Sequence, residues 1–203
     1  MIELIVVITV AGILASAFGG MFVPIMNFFF YYPESSRVNN AASDVLQIVL
    51  EGDHKAKGLR FAGPPCVVPS GGSDTITAAS ATSITYHYSL PDECLSGGTA
   101  GHQVKITYVA ADHEVTREID GGSAVEIPDY ATSTSGIKID PSAGVNFFRY
   151  YDSADTELSS TPAVADIDRV DITVNATSGS GQVRHGAGQI LLKSGVEVKR
   201  HTT

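Results

Sequence analysis

Tryptophan is absent from these 203 residues and positive charge is scarce: 13 lysines and arginines stand against 22 aspartates and glutamates, a formal net charge of −9. An acidic chain without a basic run repels phosphate backbones, so no nucleic-acid partner is expected. The six histidines (His54, His87, His102, His113, His185 and His201) form neither an H-x₃-H nor an H-E-x-x-H spacing, which leaves no zinc signature. No G-x-S-x-G elbow occurs, and the glycine-rich stretch from Gly179 to Gly188 lacks the Lys-Ser/Thr of a phosphate-cradling loop. The expectation is a protein that is not an enzyme and holds no cofactor. Charge of either sign is missing from Leu4 through Pro33, thirty positions in all. Surface loops and ordinary amphipathic helices do not run so long without it.

What fills that gap is MIELIVVITVAGILASAFGGMFVPIMNFFFYY, Met1 to Tyr32. A bilayer's hydrocarbon core, about 30 Å thick, takes about 20 apolar residues as helix, and this run exceeds that length. It opens on Met1-Ile2-Glu3 without the basic start and small-residue close of a secretory leader. Glu3 has two readings. A helix N-terminus favours a carboxylate by roughly 0.3–1 kcal/mol; alternatively, an ionisable group in membrane-embedded helix costs several kcal/mol unless partnered and so marks a functional contact. Its natural partner would be a cation at the same depth, such as the α-amino group of a neighbouring subunit. Phe28 to Tyr32 reads as an aromatic belt where an apolar helix meets the headgroup layer.

From Glu34 to His54 the chain remains helical in period but becomes amphipathic. Val38, Ala41, Ala42, Val45, Leu46, Val49 and Leu50 fall at mostly three- and four-residue spacings, forming one stripe. The helix is expected to run to about Gly52, with at least one interruption at Gly19-Gly20, Pro24 or Pro33, because proline removes a donor and clashes with the preceding turn. A breaker-rich linker follows from Gly58, with Gly63-Pro64-Pro65 and Gly71-Gly72. Strands are expected at 83–88, 104–109, 114–119, 145–151, 170–174 and 189–192, where β-branched and aromatic runs are bounded by Gly, Asp, Asn and Pro. The fold class is α+β: a long N-terminal α-helix, half apolar and half amphipathic, packed on an antiparallel β-sheet head. Three stretches follow: 1–32 as membrane or filament-core helix, 33–57 as amphipathic helix and 58–203 as β-rich head.

Ile2-Glu3-Leu4-Ile5-Val6-Val7-Ile8, followed by Ala11-Gly12-Ile13-Leu14-Ala15, resembles the N-terminal segment of type IV pilins and of the pseudopilins of type II secretion. In that family a prepilin peptidase removes a short basic leader and N-methylates the new terminus. A glutamate four residues further on then pairs with the N-terminus of the adjacent subunit. Glu3 matches that glutamate, Gly12 the glycine of the apolar helix, and Pro24 the helix-breaking proline, displaced slightly. Glu3 stands two residues after Met1, so two mature residues precede Met1 or the spacing differs from the family's. The resemblance implies a structural subunit of a helical filament whose partners are identical subunits, the inner-membrane assembly machinery and prepilin peptidase. It would be stored in the inner membrane and then carried to the cell surface, or into the periplasm if it is a pseudopilin.

Phe148-Arg149-Tyr150-Tyr151-Asp152, Glu157-Leu158 and Ala165 to Val174 resemble the heads of minor pilins and minor pseudopilins, which keeps a minor subunit open as an alternative to the main shaft protein. A rival from another class is a membrane-anchored extracytoplasmic binding module or enzyme that does not polymerise. Cys66 and Cys94 have 27 residues between them, and a head outside the cytoplasmic face favours a disulfide, worth about 3–4 kcal/mol by loop closure. Two unlinked buried thiols are the alternative. Asp152, Asp155 and Glu157 share one turn and are candidate calcium ligands, although solvated turn formers have the same composition. Asn175-Ala176-Thr177 fits a glycosylation sequon.

Overall fold

A computed structural model describes residues 2–63, 75–89, 101–128, 136–141, 143–178 and 189–197. Along the first helix, side chains are described for 6–22, 24–26 and from 35 onward. That helix, α1, runs from Ile2 to Leu50 as 49 residues, about 74 Å at 1.5 Å per residue. The expected interruption does not occur. Gly19-Gly20, Pro24 and Pro33 all lie within continuous helix. Each proline removes one donor from the i→i−4 ladder, and with eight residues between the two prolines the bonds on either side carry the helix past both.

The helix stops two residues short of Gly52, whose φ of +87° supplies the left-handed turn of a C-terminal cap. The Gly52 amide donates to the carbonyls of Ile48 (3.0 Å) and Gln47 (3.2 Å). A Cβ on Gly52 would lie 2.2 Å from the Ala56 carbonyl oxygen, so the tight reversal after the helix requires glycine for space as well as for φ.

Among the described residues, nine strands make two antiparallel sheets. β1 (Ile76–Ala79), β2 (Ser83–Tyr88), β3 (His102–Val109), β4 (Glu114–Ile119) and β5 (Val125–Ile127) form a meander in chain order. The second sheet is built on β8 (Arg169–Ser178). β9 (Gln189–Glu197) pairs along one edge of β8, while β7 (Phe148–Tyr151) and β6 (Ile137–Asp140) share the other edge end to end. Strands β1, β5 and β6 were not expected from the sequence. β7 begins at Phe148 rather than Val145, because the chain is still leaving the turn around Gly144 (φ +74°); the Phe147 carbonyl, accepting from the Thr173 amide (3.0 Å), makes the first link to β8.

Alternation explains the inward faces. Ile84, Tyr86 and Tyr88 of β2 and Val104, Ile106 and Tyr108 of β3 are buried, with Ile84 opposite Ile106 and Tyr86 opposite Val104. In β8, Val170, Ile172, Val174 and Ala176 share the core face. α1 lies against β8, β9 and β6. The stripe read from the sequence, Val38 to Leu50 at helical spacing, is the face it buries, each member at 9% exposure or less. One continuous hydrophobic core therefore includes the helix and both sheets.

Candidate assembly surface

The two halves of α1 differ in what covers them. From Val6 to Met26, 21 residues have a mean hydropathy of 2.2, and none of that span is buried. It is the one span among the described residues long and apolar enough to cross a membrane, about 32 Å at helical rise. Eleven large apolar side chains there, from Val6 to Met26, stand 43–68% exposed. Full burial of such a side chain is worth about 1.5–3 kcal/mol, so leaving this surface in water costs on the order of 10 kcal/mol. Lipid or other apolar helices would remove that cost.

Glu3 is the second residue of α1, in the first turn, where the helix dipole favours an anion. Gly12 has nothing within 4 Å of the position a Cβ would take, and neither do Gly19 and Gly20. The positions also fall into rows that the sequence reading missed. Ala11, Ala15 and Gly19, and beside them Gly12, Ser16 and Gly20, repeat every four residues and make a ridge of small side chains along one side of the helix. In membrane helices such ridges let backbones approach closely. The Ser16 hydroxyl donates to its own Ile13 carbonyl (2.8 Å), so the ridge presents no unsatisfied hydroxyl at that point. The four-residue repeat is legible in the sequence itself. Pro24 is exposed on the same span. Residues 28–32 lie within α1, and their side chains are outside the described set.

The head is fastened to the helix end by a buried ion pair. Arg117 occupies an inward position of β4, opposite Ile106, and its side chain is only 4% exposed. Its Nη1 and Nη2 donate to the two carboxylate oxygens of Asp53, each at 2.9 Å, a bidentate fork that satisfies charge and geometry together. Asp53 Oδ1 also accepts from the amides of Lys55 (2.8 Å) and Ala56 (3.1 Å). Burial pushes the Asp53 carboxyl up, but the Arg117 hydrogen bond, the two amides and the guanidinium charge outweigh it and hold it at about 2. A cavity of about 350 Å³ adjoins this pair, lined by Asp44, Ile48, His54, Lys55, Glu126 and Pro128 among others.

The proposed calcium ligands do not converge. Asp152 Oδ1 accepts from the amides of Ala154 (2.9 Å) and Thr156 (2.8 Å), closing its own turn. Glu157 is engaged by Arg149, and Asp155 by Arg169. The Arg149 and Arg169 guanidiniums lie over the Tyr151 ring at 5.5 and 4.1 Å. These carboxylates close a turn and serve an arginine network on the outer face of the second sheet, the arrangement of turn formers rather than of calcium ligands. Among the described residues there is no group of three or more His, Cys, Asp or Glu able to hold a metal. The sequon is corrected as well: Asn175 is in the middle of β8 and 9% exposed, so a glycan has no room on the folded head.

Cys66 and Cys94 lie outside the described residues. The segments leading to them are adjacent: the Gly63 amide donates to the His87 carbonyl at 2.9 Å. No family model, no curated protein and no solved structure matches this chain.

Proposed function

We propose that this chain is the structural subunit of a type IV pilus-like filament, polymerising through the apolar half of α1 with the β head outward. The single observation that carries the reading is an apolar helical span, Val6–Met26, whose described side chains are all exposed, continuous with a helix half whose own apolar stripe is already buried in the head. The head has no need of the first half. Packing of that half against lipid before assembly and against identical helices afterwards supplies cohesion, with the small-residue ridge from Ala11 to Gly20 as the place of closest approach. Glu3, at the N-terminal tip, supplies register by pairing with the terminal amine of a neighbour, since an unpartnered carboxylate in that setting is costly. The mechanism is assembly without catalysis.

The test pairs a Glu3→Ala variant with electron microscopy of material sheared from the cell surface. The expected outcome is long filaments made mostly of this chain in the parent, and in the variant a folded, membrane-inserted subunit without filaments. Normal filament yield from Glu3→Ala would remove the register role. Absence of the parent chain from filaments, with the chain in the membrane fraction, would instead favour a minor pilin, a secretion pseudopilin or an anchored binding module.

A further inference from the structure

A second cleft, of about 590 Å³, opens between the end of β3 and the second sheet and is lined by Tyr108, Asp140, Pro141, Gly144, Asn146 and Asn175. Its size falls within the range of small-molecule sites. The register of β6 on β8 sets Asp140 directly opposite Asn175, so the two side chains share one face of the sheet with Cβ atoms about 5 Å apart. Asn175 is 9% exposed, and its Oδ1 has no hydrogen-bond partner among the described residues. A buried acceptor without a donor is destabilising, and valine or threonine would suit a central strand better. Asparagine at this position carries a cost that the fold itself does not recover.

Asp140 supplies the second acceptor. The Tyr108 hydroxyl (2.6 Å) and His113 Nδ1 (2.7 Å) both bond to Oδ1, which fixes the carboxylate and leaves Oδ2 available for a third donor. Tyr108 is itself held by a stacked Phe147 ring at 5.3 Å. The floor of the cleft thus offers two adjacent oxygens, one of them anionic, so a complementary ligand brings donors and positive charge. A guanidinium prefers both oxygens of a carboxylate, and here one is already taken. A primary ammonium is a compact point charge with three donors that can be divided between two acceptors.

We propose that this cleft binds a small molecule through a primary ammonium group held between Asp140 Oδ2 and Asn175 Oδ1. The site stands apart from the apolar helix and does not depend on filament assembly. The test uses the full chain in detergent micelles at neutral pH, titrated with n-butylamine and, as the uncharged control, n-butanol, and followed by ligand-observed NMR. Saturable binding of butylamine is expected, with butanol at least tenfold weaker. Asp140→Asn and Asn175→Val should each weaken butylamine at least tenfold. Asn175→Val should melt no lower than the parent, because it removes an unpaired acceptor. Equal response to the alcohol, unchanged amine binding in both variants, or a lower melting temperature for Asn175→Val would overturn the proposal.

Discussion

Residues 6–26 and 38–50 belong to one unbroken helix, yet they obey opposite rules. In the second segment, apolar residues occupy a single stripe and every member of it is buried against the sheets. In the first, apolar residues occupy every side and none of the span is covered. A helix that is hydrophobic all round belongs in a bilayer or among other helices, whereas a striped one belongs on a globular core. The same secondary structure therefore has two surroundings, and only one of them is within the chain.

The sharpest way to break this comparison is to place the same charge in both halves. Val45 is fully buried, and Val45→Asp should destabilise the head by more than about 4 kcal/mol, because an unpaired carboxylate is forced into the core. Ile13→Asp should leave urea unfolding of the head unchanged and instead disfavour membrane insertion, by about 2.5–3.5 kcal/mol at mid-span. Equal effects of the two on head unfolding would show that the apolar half packs on the head.

Next in size is the Asp53–Arg117 pair, which joins the end of the striped half to the first sheet. Asp53→Ala strands a guanidinium that is 4% exposed and should cost about 3–5 kcal/mol. Acid provides a milder form of the same lesion. The folded pKa of Asp53 is depressed from 3.8 to about 2, so its contribution is present above the unfolded value and lost as pH falls through the folded one. Roughly 2 kcal/mol should disappear between about pH 5 and pH 2. Denaturation midpoints across that range check it, and the Asp53→Asn chain should lose this part of the slope.

The helix stripe was legible residue by residue because its period is local: Val38, Ala41, Val45 and Val49 declare a face without reference to anything distant. The longer strands were legible for the same reason, through alternation within six to ten residues. β1, β5 and β6 span only four, three and four residues, too short for alternation to register, and they exist because a longer neighbour pairs with them. Arg117 broke the alternation of β4 with a charge, and nothing nearby in sequence announced Asp53, 64 residues away, as its partner. The cleft was hidden for the same reason. Asp140 and Asn175 meet only through the register of β6 on β8, and as a sequence Asn175 pointed to a glycan that its burial rules out.

The smallest expected effect is the most direct test of the division within α1. The first core residue of the helix is Val38, and the described side chains of 6–22 and 24–26 are all exposed. Removing residues 1–32 takes away none of those core contacts and relieves the chain of a surface that water disfavours. The truncated head should unfold in urea within about 0.5 kcal/mol of the full chain, as expected for a change remote from the core. It should also remain soluble without detergent and form no filaments. A loss of 2 kcal/mol or more would mean that the apolar half contributes to the head's own stability. The contrast between the two halves would then be one of degree, and the exposed span would lose its standing as a surface kept for other molecules.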